Sequence, residues 1–256
     1  MLSSCALKRS ALAWSLLFGS AAAAANVAGG LAVVARRHWN EMFLKYFLGL
    51  GAGFMLAATF LRMLPESMKL TEHAPLLFLG GYFLVHFFEH TVAPHFHFGE
   101  EPHDEVMMNR AVGISALGGL TIHTFFDGVS IASGFLVSLP LGFLIFCAVI
   151  LHKIPEGVTV ASIALASGQG KRGALAASFV LAAATLAGVL GMNRFAGAVA
   201  YALPFSTGVT LYDAATDLMP EVNKQHQEHG MRMTLIVFVG VALFWLTERA
   251  LDFLQP

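Results

Sequence analysis

Two segments of the chain share a pattern of residue types, and each puts a histidine four residues ahead of a carboxylate. The first segment carries His123 and Asp127, and the second carries His152 and Glu156. On a helix this spacing places both side chains on one face, one turn apart. Imidazole nitrogen with carboxylate oxygen suits Zn²⁺, and is tolerable to Fe²⁺, Mn²⁺, Co²⁺ and Cd²⁺. We therefore predict a metal site between two facing helices.

The composition indicates which environment these helices occupy. Of 256 residues, 57% are hydrophobic and 12% are charged, whereas about 25% charged residues are usual in soluble domains. The chain therefore belongs in a lipid bilayer. A net charge of −1 provides no basic surface for nucleic acid, so that class of partner is excluded. Cys5 and Cys147 lack the spacing of a metal site, and we predict neither a disulfide nor a ligand.

Eight apolar stretches are long enough to cross a hydrocarbon core of about 30 Å as helices. We place them near 11–35, 43–65, 74–92, 110–137, 140–168, 172–193, 197–221 and 233–254. Their connections are short except for 93–109, which is acidic and rich in histidine. We therefore predict an all-α membrane protein in which residues 1–256 form one transmembrane domain.

The distribution of lysine and arginine predicts the orientation. Eight of these residues lie in or near the connections after helices 1, 3, 5 and 7, and four lie on the opposite side. Because basic residues favour the cytoplasmic side, we expect a multi-pass protein of the cell membrane with both termini extracytoplasmic. The 93–109 loop is then cytoplasmic. Lys8 and Arg9 before an apolar run also fit a cleavable signal peptide, and this alternative stays open.

Two further segments resemble each other and indicate an internal repeat. The segment from Gly53 to Glu66 shares Gly, Leu, Pro and Glu with the segment from Gly208 to Glu221, at a constant separation of 155 positions. The two helices run in opposite directions, as do helices 4 and 5. The pattern predicts a 3+2+3 arrangement in which helices 1–3 and 6–8 form an inverted repeat around helices 4 and 5. Chance reuse of Leu-x-Pro-Glu as a helix-ending signal is the alternative.

Other polar residues accompany the proposed ligands in the predicted spans. An ionisable group at the bilayer centre costs roughly 2.5–3.5 kcal/mol unless it is paired, so we consider these groups part of the site or its pathway. They are Thr124, Ser130, Lys153, Thr159, Asp213, Asp217, Glu66, His86, Glu89 and His90. For Glu66, solvation at a helix end is the alternative.

Lys153 follows His152 directly and adds a positive charge beside the proposed ion. A fixed ammonium there would partly neutralise the carboxylates and leave room for one metal ion only. The alternative is an ordinary ion pair with Asp127, Asp213 or Asp217, and the two interpretations are compatible.

Histidines at the cytoplasmic end of helix 3 allow two further interpretations. His86, Glu89 and His90 spell His-x-x-Glu-His, which also occurs in zinc peptidases, although no third ligand is evident. The alternatives are a site through which the metal leaves the pore and a polar helix end at the membrane interface. The loop histidines could receive metal leaving the pore or sense it, or could belong to a solvated loop. They are His95, His97 and His103.

Taken together, these motifs resemble the ZIP metal-ion transporters over essentially the whole chain. The resemblance rests on His-x-x-x-Asp-Gly and His-x-x-Pro-Glu-Gly on successive helices, the His-rich loop, and the Leu, Pro and Glu residues that end helices 2 and 7. It implies a 3+2+3 fold that carries zinc or related metals towards the cytoplasm, with His123, Asp127, His152 and Glu156 as primary ligands. Thr124 and Lys153 depart from the common pattern, which argues against a binuclear site.

We therefore predict a transporter of a divalent transition metal, zinc first, that works by alternating access between two helical bundles. It is not an enzyme, since no covalent chemistry is required. An intramembrane zinc enzyme with the same ligands is the first alternative. A proton- or sodium-coupled carrier of an organic solute is the second, but it leaves the histidines unexplained. The expected partners are the metal ion and the bilayer, and a homodimer is one candidate assembly.

Overall fold

The computed structural model describes residues 4–35, 41–92, 110–223 and 230–253, and every regular element in these ranges is helical. The prediction of an all-α membrane protein is thereby confirmed. The helices are α1 (Ser4–Ala35), α2 (Glu41–Ala58), α3 (Leu64–Leu70), α4 (Ala74–Phe87), α5 (Arg110–Val137), α6 (Leu139–Ala166), α7 (Gly170–Arg194), α8 (Val199–Tyr212), α9 (Met219–Asn223) and α10 (Gly230–Phe253). The loop 93–109, with His95, His97 and His103, lies outside the described residues.

Wider π-helical turns interrupt two of the long helical runs. Thr59–Met63 joins α2 to α3, and Asp213–Leu218 joins α8 to α9. Each turn is followed two residues later by a proline, Pro65 or Pro220. Proline lacks the N–H of a helical hydrogen bond and its ring crowds the carbonyl four residues before it. The widened turns lie where that carbonyl is found and accommodate the proline without ending the helix.

Six helical runs in the described ranges are long and apolar enough to cross a membrane. They are Ser10–Ala35, Met42–Leu70, Gly113–Val137, Leu139–Ala166, Gly170–Arg194 and Gly230–Phe253. The second run extends to Leu70, beyond the predicted end at residue 65, because the π turn carries the helix past Pro65. The predicted spans 74–92 and 197–221 are helical but more polar, so they do not belong to this group of six.

The helices pack as two groups that meet along the middle of the molecule. Helices α1, α5, α6 and α7 pack on one another and form the first bundle. The run from α2 to α3, the run from α8 to α9, and helices α4 and α10 form the second bundle. The bundles meet where α6 lies against α2 and where α5 lies against α8. Both helices with the duplicated His pattern therefore lie in the first bundle and face the second.

Glycines allow the closest helix crossings in both bundles. At each crossing a Cβ atom added to either glycine would overlap the backbone of the facing helix. The glycine pairs are Gly29 and Gly157 for α1 with α6, Gly128 and Gly188 for α5 with α7, Gly53 and Gly240 for α2 with α10, and Gly81 and Gly208 for α4 with α8. Small residues are the usual means of close packing between membrane helices.

Candidate metal centre

The four residues with the duplicated pattern come together between α5 and α6. His123, Asp127, His152 and Glu156 each offer one ligand atom, and these atoms lie within 4.8 Å of one another. All four side chains are buried, with at most 6% of each residue exposed. Each pair shares a helix face because its members are four residues apart. The spacing in the sequence therefore produces one compact group of nitrogen and oxygen ligands.

Asp127 is the centre of the contacts in this group. Its Oδ2 lies 3.1 Å from His123 Nε2 and 3.4 Å from His152 Nε2. The other ring nitrogen of His152, Nδ1, lies 3.2 Å from the carbonyl oxygen of Ala148. This carbonyl fixes the orientation of the ring and directs Nε2 towards Asp127. A second contact of this kind is common for histidines that bind metals.

Lys153 and Thr124 join the two helices through the carboxylates. Lys153 Nζ forms ion pairs with Asp127 Oδ2, at 2.5 Å, and with Glu156 Oε2. Thr124 donates a hydrogen bond to Glu156 Oε1 and accepts one of 3.4 Å from Lys153 Nζ. Lys153 and Thr124 are completely buried. Asp127, one of the predicted partners of Lys153, thus contacts it in the structure, and Glu156 is a further partner that was not predicted.

Further acids extend the polar group towards α4. Asp213 Oδ1 lies 3.7 Å from His123 Nε2. Asp217, one turn later, is buried and faces the turn after α4, which carries Glu89. Tyr212 donates a hydrogen bond of 2.9 Å to Glu89 Oε2. A continuous series of acids thus leads from the four-residue group to the end of α4 that precedes the 93–109 loop.

The remaining predicted pathway residues have different surroundings. Ser130 is buried, and its hydroxyl has no partner among the described residues, while Thr159 is half-buried. Glu66 forms an ion pair of 2.8 Å with Lys69 at the end of α3, as expected for a solvated helix end.

Histidines 86 and 90 lie at the exposed end of α4 rather than in the buried group. The rings of His86 and His90 lie 4.1 Å apart, and both residues are exposed. Glu89 alone of the His-x-x-Glu-His pattern is buried. In this arrangement the two histidines and the glutamate do not converge on one point, and the peptidase interpretation gains no support.

The sequence interpretation did not include two buried polar residues near these groups. Tyr212 precedes Asp213, but its contact with Glu89 spans 123 positions and leaves no local pattern. Asn26 on α1 lies against Gly157, which follows Glu156, and its side-chain amide has no partner among the described residues. A polar residue within an apolar span was the signal that could have identified Asn26.

Comparison with known proteins supports the same interpretation as the geometry of the site. Residues 99–248, more than half of the chain, match the sequence profile of the ZIP zinc transporter family. The chain belongs to the ZIP family. The resemblance inferred from the motifs is thereby confirmed, and the matched region contains all four candidate ligands together with Lys153, Asp213 and Asp217.

Individual relatives match over a similar region. Zinc transporter ZIP13 of zebrafish (Danio rerio) is 31% identical over 51% of this chain and 40% of its own length. The human ZIP13 is 28% identical over 52% of this chain and 39% of its own length. The mouse zinc transporter SLC39A7 is 30% identical over 45% of this chain and 27% of its own length. The matches thus span less than half the length of these curated relatives.

Proposed function

We propose that this ZIP-family chain transports divalent transition-metal ions, zinc first, through the site formed by His123, Asp127, His152 and Glu156. The proposal depends above all on the convergence of four buried ligand atoms within 4.8 Å. Two imidazoles and two carboxylates form a ligand set suited to tetrahedral Zn²⁺. The membrane-spanning helices around them, and the zinc transport named for the relatives, favour a transported ion over a catalytic one. Fe²⁺, Mn²⁺, Co²⁺ and Cd²⁺ remain candidate substrates.

The charges around the site favour one ion. Asp127, Glu156 and Asp213 contribute three negative charges, and Lys153 contributes one positive charge. One divalent cation then makes the buried group neutral, provided that both histidines are uncharged. A second divalent cation would leave two excess positive charges in a medium of low dielectric constant, which is costly. The Lys153 ammonium therefore takes the place of a second metal ion.

The full proposal includes eight spans in a 3+2+3 inverted repeat. The two more polar runs, Ala74–Val92 and Ala196–Asn223, complete the eight. Contacts between helices support the repeat, because each pairing in one half has a counterpart in the other. Helices α1 and α6 pack as α7 and α5 do, and α10 packs on α2 as α4 packs on α8. The glycine crossings repeat in the same way.

Alternating access would then arise from movement of one bundle against the other. The metal ligands belong to the first bundle, whereas Asp213 and Asp217 belong to the second. On the side of the α5–α6 turn, apolar side chains from both bundles close the space beside the ligands. They are Met63, Ile131, Leu141, Ile145 and Leu203. On the other side Asp213, Asp217 and Glu89, in the turns that follow α8 and α4, offer a polar route. This asymmetry supports metal release towards the 93–109 loop, where His95, His97 and His103 would receive the ion.

The orientation of the chain follows from its basic residues. The excess of lysine and arginine on the side of the 93–109 loop supports a cytoplasmic position for that loop and an extracytoplasmic position for both termini. Transport towards this loop is then import across the cell membrane. A homodimer is the assembly that we propose to test, since the outward face of α10 presents large apolar side chains to lipid or to a second copy.

The decisive experiment is uptake of radioactive zinc by proteoliposomes that contain the purified protein. We expect saturable uptake by the wild type and its loss in His152→Ala and Glu156→Ala. Glu72→Gln provides a matched control, because Glu72 is exposed and far from the ligands in the structure. Competition by the other divalent ions in the same assay would rank the substrates.

Two results would contradict the proposal. Uptake by both variants at the wild-type rate would show that the ion crosses elsewhere. Stoichiometric zinc binding by the wild type without any uptake would instead favour the intramembrane enzyme.

A further inference from the structure

The glycine crossings define which residues of the second bundle correspond under the repeat. Gly53 and Gly208 lie 155 positions apart, and each meets the backbone of its partner helix. Their partners, Gly240 and Gly81, lie 159 positions apart. A residue on the α2–α3 run therefore corresponds to the residue 155 positions later, and a residue on the α4 run to the residue 159 positions later.

This correspondence relates two pairs of charged residues that differ in one respect. Arg62 corresponds to Asp217, and Glu248 corresponds to Glu89. Arg62 Nε lies 3.2 Å from Glu248 Oε1, so a fixed cation balances the acid in the first pair. In the second pair an aspartate takes the place of the arginine beside the glutamate, so two acids face each other. The second pair therefore lacks the cation that neutralises the first.

The acid pair is also the more buried of the two. Glu89 and Asp217 are 8% and 5% exposed, whereas the Arg62 and Glu248 side chains are 29% and 18% exposed. Tyr212 donates a hydrogen bond to Glu89 Oε2, and Asp217 Oδ1 has no partner among the described residues. Two buried carboxylates beside each other repel strongly unless a cation or a proton lies between them.

The groups around the pair favour a proton over a metal ion as the missing cation. Asp213, Tyr212, His123 and His90 are the titratable groups that act on Glu89 and Asp217. His123 already contacts Asp127, and His90 is exposed. Among the described residues, the only group of three or more potential ligands close enough to hold a metal is the one on α5 and α6. Two carboxyl groups alone make a poor metal site, but they can share a proton.

We propose that Glu89 and Asp217 hold one exchangeable proton, which moves as a second cation during metal transport. This inference depends on the proposed function. The pair lies beyond Asp213 on the polar route between the metal ligands and the 93–109 end. A metal ion that passes there attracts both carboxylates and displaces their shared proton. The repeat thus has a permanent cation, Arg62, at one end and a replaceable cation at the other.

The first test observes the proton without requiring transport. Infrared difference spectra of the purified protein in a pH titration report protonated carboxyl groups directly. We expect a protonated-carboxyl band in the wild type that is lost in Asp217→Asn and in Glu89→Gln. Both substitutions keep the size of the side chain and a polar group beside the remaining acid, so we expect them to disturb the packing little. Asp252→Asn, an exposed site, is the matched control. An unchanged band in Asp217→Asn would overturn the proposal.

The second test measures protons moved per zinc ion, with a pH dye inside the proteoliposomes. We expect proton movement to accompany zinc uptake in the wild type, and we expect the number of protons moved per zinc ion to fall in Asp217→Asn, whatever rate of zinc uptake that variant keeps. Zinc uptake by the wild type without proton movement, or an unchanged ratio in the variant, would overturn the proposal. Absence of zinc uptake by the wild type would contradict the proposed function instead, and the infrared result would still decide whether the pair holds a proton.

Discussion

Helices α5 and α6 carry the same pattern of ligands, but their charges differ at one position. Thr124 follows His123 on α5, and Lys153 follows His152 at the corresponding place on α6. Both side chains bond to Glu156, yet only Lys153 contributes a charge. The duplicated pattern builds a nearly symmetrical ligand group, and the one asymmetric residue sets its net charge. We therefore expect a residue outside the ligand pattern to determine how many ions the site accepts.

The largest effect is expected when the charged member of this comparison is removed. Lys153→Met leaves Asp127 and Glu156 buried without their fixed cation, and breaking a buried ion pair costs about 3–5 kcal/mol. We expect a lower melting temperature in the presence of a chelator, and recovery with two zinc ions per chain instead of one. Thermal unfolding and elemental analysis measure both quantities.

An exposed lysine provides the control for that experiment. Lys69→Met removes the partner of Glu66, but its side chain is 67% exposed, so we expect little change in either measurement. A single zinc ion per chain in Lys153→Met, with an unchanged melting temperature, would show that the ammonium does not take the place of a cation.

The pattern on α5 and α6 was visible in the sequence because it is local. Spacing of four residues defines a helix face, and the apolar surroundings indicate that the face is buried. The structure brings these side chains together as that spacing predicts. Contacts between distant segments could not be predicted in this way. The bonds from Thr124 to Glu156 and from Tyr212 to Glu89 depend on how helices cross, and residue spacing does not determine the crossing.

The helical runs were predictable to a similar degree, and the exceptions have physical causes. Apolar length identified the six runs in the described ranges that are long and apolar enough to cross a membrane, but the proline motif misplaced the end of one of them. The run ending at Leu70 was predicted too short, because a π turn allows the helix to pass Pro65. Such a turn depends on packing as well as on the proline, and so it could not be deduced from the sequence.

The second-largest effect compares the ligands of the two helices. His123→Ala and His152→Ala each remove one of the two proposed nitrogen ligands, so we expect the dissociation constant for zinc to rise more than about 100-fold in both variants. His152 also has the better-fixed ring, since its Nδ1 contacts the Ala148 carbonyl. Isothermal titration with zinc gives both constants. Wild-type affinity in either variant would show that one helix supplies the site alone.

A smaller effect compares the glycine crossings that support the two helices. A Cβ atom at Gly157 would overlap the Asn26 carbonyl oxygen, and one at Gly128 would overlap that of Thr185. We expect Gly157→Ala and Gly128→Ala to lower the free energy of unfolding by about 1–3 kcal/mol each, as overpacking usually does. Gly191→Ala is the control because nothing lies within 4 Å of its added Cβ. Unfolding in denaturant measures the differences. Equal stability of all three variants would contradict the repeat of close crossings.

The smallest effect concerns Thr124, the uncharged counterpart of Lys153. Its hydroxyl donates to Glu156 Oε1 and orients this ligand without changing the charge of the site. Loss of such a supporting bond usually weakens metal binding by about 10–100-fold. We expect Thr124→Ala to fall at the lower end of that range and still to bind one zinc ion, whereas Thr124→Ser should keep the wild-type affinity. Titration with zinc reports affinity and stoichiometry together. A change in stoichiometry in Thr124→Ala would mean that the hydroxyl, like the ammonium, limits the number of ions, and the distinction between the two helices would fail.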